Sequence, residues 1–228
     1  MTLSSARRTP LFEQVAAQLR AEITSGRWPV GSRIPTEPEL AEQLGVARGT
    51  LREAVRALAH NGLLDIRQGS GTYVVASSEM AGVMRRSFAG LAPEHVNELR
   101  ALLERSAVGL AALRRTDAEM DHLEALLARR ETAWAAATRE DAPGGLEDFV
   151  QADAALHAAI VAATHNPALI GIYADLGEFF RAELRGFFAG ALTPDRYVDH
   201  TRLVAAIRAR DADAATREAT LFTPAPEA

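Results

Sequence analysis

The sequence predicts a mainly α protein in two parts, on three observations. Apolar residues recur at helical spacing along most of the 228 residues. Strand-like runs occur once, as Leu63 to Arg67 and Thr72 to Val75, on either side of Gln68-Gly69-Ser70-Gly71. From Pro93 onward nothing resembles a strand, and the helical stretches are cut by Asp117, Pro143-Gly144-Gly145, Asn166-Pro167 and Thr193-Pro194. The expected architecture is an N-terminal winged helix-turn-helix domain over residues 1–76 and a hinge with one short helix over 77–92. An all-α antiparallel helical bundle follows over 93–228.

Taken in order, Thr9-Pro10 opens a first helix whose apolar residues Phe12, Val15, Ala16, Leu19 and Ile23 keep helical spacing until Gly26. Trp28-Pro29 and Gly31 make a turn. Trp28 either stacks on a nucleic acid or seals a small core, and its place in a turn favours the core. Thr36 followed by Glu39 is a capping box, in which the two side chains satisfy backbone N–H groups at a helix start, with Pro38 tolerated in the first turn. Leu40 and Leu44 share a face of that second helix, and Gly45 supplies the backbone freedom for a tight turn. From Arg48 the apolar residues Leu51, Ala54, Val55 and Leu58 mark a third, amphipathic helix that Gly62 stops.

The other side of that third helix carries Arg48, Arg52 and Arg56 at successive i,i+4 steps. Such a row on an arbitrary helix is most often a solvated face. Here a capped helix, a glycine turn, an Arg-led helix and a Gly-tipped hairpin follow in the order of a winged helix-turn-helix. That order makes the row a candidate recognition surface, because Arg donates bidentately to guanine O6 and N7 in the major groove.

Composition bounds the reading. The net charge is −5, but residues 1–76 hold 9 Arg against 7 acids and the remainder 16 against 23. The part expected to face DNA is therefore locally basic. No Cys is present, which excludes disulfides and thiolate metal sites. No charged-then-apolar signal segment opens the chain, and no uncharged apolar run approaches about 18 residues. A cytoplasmic protein without a membrane partner is expected.

In the bundle, helical patterns run from about Glu94 to Arg115, Ala118 to Arg139, Leu146 to Thr164, Pro167 to Gly186, Pro194 to Arg210 and Asp211 to Phe222. Asp153 and His157 stand at i,i+4 inside the third of these, and His200 falls inside the fifth. A carboxylate with two imidazoles suits Zn, Ni, Mn or Fe. By itself an Asp-x-x-x-His pair is more often a local hydrogen bond.

Gly31-Ser32-Arg33-Ile34-Pro35-Thr36-Glu37, Leu40-Ala41, Val46-Ala47-Arg48, Leu51-Arg52-Glu53-Ala54, and Gly62-Leu63 through Gly71-Thr72 resemble the N-terminal domain of GntR-family bacterial transcription regulators. The resemblance covers about residues 10–76. It assigns DNA contact to Arg33, Arg48, Gly49, Thr50, Arg52, Arg56, Gln68 and Gly69. Two departures stand out: Pro38 where the family usually has Arg, and Ala47 where it usually has a capping Ser or Thr. Loss of such a cap costs about 1 kcal/mol.

The second part is similar to the FCD effector domain of the FadR subfamily, through Glu98-Leu99-Arg100, Glu104, Asp153-x-x-x-His157, Asn166-Pro167, and His200 ahead of Ala205-Ala206-Ile207. Metal-binding members of that group converge an Asp and three His, and a small carboxylate effector completes the shell. The resemblance places Asp153, His157 and His200 as ligands of a divalent transition metal such as Zn, Ni or Mn, with Phe222 where the fourth ligand is expected. Phenylalanine cannot coordinate. The site is then either a three-ligand site with more open positions or an apo pocket that binds its effector through hydrogen bonds and Arg. Arg100 matches the position that holds the effector carboxylate; alternatively it is a surface residue paired with Glu104.

These expectations together describe a homodimeric, DNA-binding transcription regulator, a repressor of the GntR type, on a short inverted-repeat operator. Two alternatives remain beside it: a constitutive regulator that has lost effector sensing, and a metal-dependent enzyme. The enzyme reading lacks a general base beside the ligands and leaves the winged domain unexplained.

Overall fold

The computed structural model describes residues 9–138, 145–188, 193 and 197–220. The chain forms two compact units, divided between Ala89 and Gly90.

In the first unit, α1 (Leu11–Thr24), α2 (Glu37–Leu44) and α3 (Arg48–His60) surround one apolar core. Val15, Leu19 and Ile23 of α1 meet Leu51, Val55 and Leu58 of α3, all nearly inaccessible to solvent. Trp28 is partly buried against this core, the second of its two expected roles. The capping box forms as the sequence indicates: the Thr36 backbone N–H donates to the Glu39 carboxylate at 2.7 Å and the Thr36 hydroxyl at 2.8 Å. Gly45 ends α2 in the left-handed conformation, φ 64°, where an L side chain would be strained. The turn it makes sets α3 across α2.

Strands β1 (Leu64–Arg67) and β2 (Gly71–Val74) pair antiparallel, with Leu64 opposite Val74 and Arg67 opposite Gly71. A short bridge between Arg33 and Tyr73 adds the segment before α2 to this hairpin. Helix α4 (Glu79–Phe88) is capped by the Ser78 hydroxyl, which accepts from the Ala81 N–H at 2.9 Å. It packs on the end of α3: Asn61 donates to Glu79 at 2.9 Å, and Gly82 lies so close to the Gly62 carbonyl that a Cβ there would meet its oxygen at 2.7 Å. Glu79 also pairs with Arg20 of α1 at 2.7 Å.

The second unit is all helical among the described residues: α5 (Pro93–Arg114), α6 (Asp117–Ala137), α7 (Gly145–Ala162), α8 (Pro167–Phe188), α9 (Thr201–Arg208) and α10 (Ala212–Thr220). Its main core joins Val108 and Ala111 of α5, Leu123 of α6, Leu156 and Ile160 of α7, and Leu203 and Ile207 of α9. A smaller aromatic cluster holds Trp134, Phe149 and Phe188, with Tyr197 against it.

One element starts later than its pattern suggests. The fifth bundle helix was expected from Pro194 with His200 inside it, but α9 begins at Thr201 and His200 is its N-terminal cap position. The Asp199 carboxylate accepts the Thr201 N–H at 2.8 Å, a local side-chain bond that competes with helical pairing one turn earlier. Pro194 and Phe222 lie outside the described residues.

Candidate functional site

Two groups of residues can carry function, one in each unit. In the first, the buried stripe of α3 fixes its opposite face, so Arg48, Arg52 and Arg56 are all exposed along it. Gly49 at its N-terminal end is exposed and Thr50 half-buried. Ala47 occupies the cap position and makes no side-chain capping bond, leaving the first N–H groups of α3 to solvent or a ligand. Arg52 is steered by Glu37 of α2, whose carboxylate lies 3.3 Å from its Nε. At the hairpin tip, Gln68 and Gly69 are exposed. The Arg33 side chain lies over Gly71 at the tip end of the hairpin, and a Cβ at Gly71 would stand 2.4 Å from the Arg33 Nε. The Gly71 φ of 128° is the reason a glycine is favoured at this position. The structure thus presents Arg33, the α3 arginines and the wing tip as exposed groups of one small unit.

In the second unit, Asp153 and His157 of α7 and His200 at the start of α9 come together in the interior. Each offers one ligand atom, and these atoms lie within 4.8 Å of one another. All three are buried. The His157 and His200 Nε2 atoms are 3.0 Å apart. Their outer nitrogens are both engaged: His200 Nδ1 lies 2.8 Å from the Val198 carbonyl, and His157 Nδ1 lies 3.1 Å from the Glu104 carboxylate. A carbonyl and an ionised carboxylate only accept, so each Nδ1 carries a proton and each Nε2 turns inward. Burial, then the neighbouring Arg130 and His157 charges, push the His200 ring down to about 3, which keeps it neutral. Two Nε2 lone pairs facing each other at this distance repel, and a cation held beside them would relieve that repulsion.

The residue set fits a divalent ion. Zn–N bonds of about 2.0–2.1 Å at tetrahedral angles place two nitrogens about 3.3 Å apart. That is within a few tenths of an ångström of the observed 3.0 Å. The outer hydrogen bonds that aim both rings inward are those a metal-ligating histidine uses.

Around these three stands a shell of charged and polar side chains. Arg100 of α5 donates from Nε to Glu104 at 2.7 Å and from Nη2 to Asp153 Oδ2 at 3.1 Å. Arg100 pairs with Glu104, as one alternative had it, but from a half-buried position and not on the surface, and it also reaches Asp153. Its Nη1 has no partner among the described residues. Burial alone would lower its pKa, but the Glu104 and Asp153 charges outweigh that and hold it well above the usual value. Tyr173 of α8 donates to Glu104 at 2.6 Å. Glu104 is pushed up by its burial and down, more strongly in sum, by Arg100 and His157, ending at about 2.

Arg130 of α6 was not anticipated. Its Nε donates to Asp153 Oδ1 at 2.7 Å and its Nη1 to the Val198 carbonyl at 3.1 Å. The guanidinium stands over the Phe149 and Tyr197 rings, 5.2 and 5.4 Å from their centroids. The Asp153 carboxyl, which burial would raise, is held far below the usual carboxylate range by His157, Arg100 and Arg130. A signal for Arg130 does exist in the sequence, because it continues the apolar stripe Leu123, Leu126 and on to Trp134. Of the remaining histidines, His60, His95 and His122 are exposed, and His165 bonds the capping residue Glu119 at 2.8 Å.

Beside this centre a cavity of about 240 Å³ opens between α5, α7 and α8, with Arg100, Asp153, Tyr173 and Arg181 as its polar wall. No described helix is long and apolar enough to cross a membrane.

Comparison with known proteins matches both units. The profile of bacterial regulatory proteins of the gntR family matches residues 11–74, and that of the FCD domain matches residues 95–221. The Uxu operon transcriptional regulator of Escherichia coli K12 is 30% identical over 215 residues, covering 90% of this chain and 80% of its own. The galactonate operon transcriptional repressor of the same organism is 26% identical over 217 residues, 91% of each chain. Among solved structures, the Streptococcus agalactiae GntR protein aligns with a TM-score of 0.51 at 29% identity, over 93% of this chain and 97% of that one.

Proposed function

This chain belongs to the GntR family of bacterial regulatory proteins, with an FCD domain, and is a transcription regulator and not an enzyme; from that premise we propose how its two sites work together. The first unit binds a short inverted-repeat operator as one half of a homodimer. Arg48 and Arg52 reach base edges, while Arg33, Arg56, Gly49, Thr50 and the Gln68-Gly69 tip hold the phosphates. The second unit binds a small carboxylate at Arg100 and a divalent transition metal at Asp153, His157 and His200. When bound, the ion supplies a fixed positive charge that attracts the effector anion. The protein's own part is to orient both imidazoles through Val198 and Glu104, and to keep Asp153 ionised between two guanidinium groups. Effector binding then shifts the population of DNA-competent dimers, which requires different affinity for the two arrangements of the dimer.

The observation that carries this reading is Arg100: a half-buried, permanently charged guanidinium with two nitrogens committed to Glu104 and Asp153 and the third without a partner among the described residues, beside a cavity. The test is operator selection from random DNA with the full-length protein, followed by fluorescence anisotropy on the selected site with and without zinc and a panel of carboxylates. Specific binding that at least one carboxylate weakens, and that is insensitive to it in Arg100→Ala, supports the reading. Selection of no sequence above bulk DNA would overturn the DNA half. Carboxylate effects unchanged in Arg100→Ala would overturn the effector half.

A further inference from the structure

The wall chemistry of the cavity beside Arg100 restricts what its ligand can be. Its polar side chains are Arg100, Asp153, Tyr173 and Arg181. Asp153 is the sole acceptor among them with a full charge, and both its oxygens already accept from guanidinium groups, Oδ1 from Arg130 and Oδ2 from Arg100. The Tyr173 hydroxyl donates its proton to Glu104, which leaves its oxygen as one neutral acceptor. Arg181 has donors only, and it pairs with Glu178 at the rim. The rest of the wall is Ala154, Ala158, Ala174, Phe180 and Leu184, with Gly177 beneath the Arg181 guanidinium. All of these sit on α7 or α8, whose interior backbone carbonyls are committed to helical bonds.

Among the described residues the cavity therefore offers charged donors at one side, apolar surface over the rest, and few acceptors, namely the Tyr173 oxygen and the remaining lone pairs of Asp153. A carboxylate head suits Arg100, since a guanidinium binds it through charge-assisted bonds. A polyhydroxylated body does not suit the wall: each hydroxyl brought against alanine, phenylalanine or leucine loses water and finds no acceptor. Resting on the reading that Arg100 holds the effector carboxylate, we infer that the effector is a small acid with a hydrocarbon body, aliphatic or aromatic, and not a sugar acid. Its apolar part lies along Ala154, Ala158 and Phe180, and Arg181 covers it at the rim.

The experiment uses full-length protein and isothermal titration with hexanoate, benzoate, hexanamide, D-galactonate and D-glucuronate. Hexanoate or benzoate is expected to bind at least tenfold more tightly than either sugar acid, and hexanamide not measurably. Ala154→Leu, which fills the cavity and leaves the Arg100 residue in place, is expected to weaken the hydrocarbon acid at least tenfold. Ala158→Leu at the exposed edge of the cavity serves the same purpose if Ala154→Leu loses its helical circular dichroism. Sugar acids binding as tightly as hexanoate or benzoate, and losing affinity in the filled variants, would overturn the inference while leaving the carboxylate reading intact. Hexanamide matching hexanoate, or no acid binding at all, would overturn both. Hydrocarbon-acid binding unchanged in both filled variants would place the ligand elsewhere and overturn the inference alone.

Discussion

Replacing Arg130 with Met tests whether the interior of the bundle is organised by charge. The side chain is 3% exposed and makes two directed bonds, to Asp153 at 2.7 Å and to the Val198 carbonyl at 3.1 Å. Removing one member of a buried ion pair costs about 3–5 kcal/mol, because the remaining charge stays desolvated. Asp153 keeps Arg100 at 3.1 Å, which argues for the lower end. The Val198 carbonyl loses its donor, which adds about 1–3 kcal/mol unless water replaces it. Methionine recovers part of the packing on Phe149 and Tyr197. The expected net loss is about 4 kcal/mol. Trp134, 5.0 Å from Phe149 and 5.0 Å from Tyr197, reports on this region, and Trp28→Phe removes the other tryptophan signal. Urea unfolding of R130M in that background, followed by Trp134 fluorescence, measures the loss directly. A loss below about 1 kcal/mol, the size seen for solvent-exposed pairs, would refute the idea that this pair is desolvated and organises the centre. A double-mutant cycle with Asp153→Asn should show a coupling of about 1–3 kcal/mol between the two positions.

Four further outcomes are expected. Arg48→Ala and Arg52→Ala should each cost about 1–3 kcal/mol on a selected operator and relax its sequence preference, as measured by anisotropy; a double variant with unchanged affinity would remove the recognition role. Operator affinity should fall on a log–log plot against salt by about 0.9 per phosphate neutralised, and a flat response would exclude a phosphate-contacting interface. With chelator present, the bundle should lose stability as pH falls from about 6.5 toward 3: the folded His200 pKa of about 3 lies below its unfolded value, so the unfolded chain takes up the extra proton in that window. His200→Gln should flatten that slope, and an unaltered slope would show that another group sets it. Zinc at about 100 times its dissociation constant should raise bundle stability by about 2.7 kcal/mol, with the gain abolished in His157→Ala and enlarged by a bound carboxylate.

What could be read from sequence was what neighbours in the chain decide. The Thr36 and Glu39 pair, Gly45 and the Gly69 to Gly71 tip act within four residues, and each appears where its pattern places it. His200 shows the limit: helical spacing of apolar residues continues through it, but the Asp199 side chain takes the Thr201 N–H and delays the helix. Arg130 shows a second limit. An arginine within a helix is assigned to solvent by default, and only a partner 23 residues away in sequence makes burial affordable. Glu104 was legible as a neighbour of Arg100 at i,i+4, yet its contacts to His157 and Tyr173 depend on how three helices pack. Local spacing paired Asp153 with His157, the family resemblance pointed to Arg100, and tertiary packing supplied the residues that orient them.

Charge balance in this centre gives a reason for metal and effector to act together. Arg100 and Arg130 face Asp153 and Glu104, so the four permanent charges cancel within one buried cluster. A divalent ion held by Asp153 and two neutral imidazoles adds charge that no protein group compensates, and uncompensated charge is costly away from water. A carboxylate arriving at Arg100 removes part of that excess. Each ligand therefore lowers the cost of the other, and linkage requires the effect to be equal in both directions. In the proposed scheme the coupling would pass through Arg100, since the guanidinium proposed to receive the effector also holds Asp153 Oδ2. An effector drawing on Arg100 would leave the Asp153 carboxylate freer to hold an ion. Arg130 keeps that carboxylate in place while the balance shifts, because its own bonds to Oδ1 and to Val198 involve neither ligand.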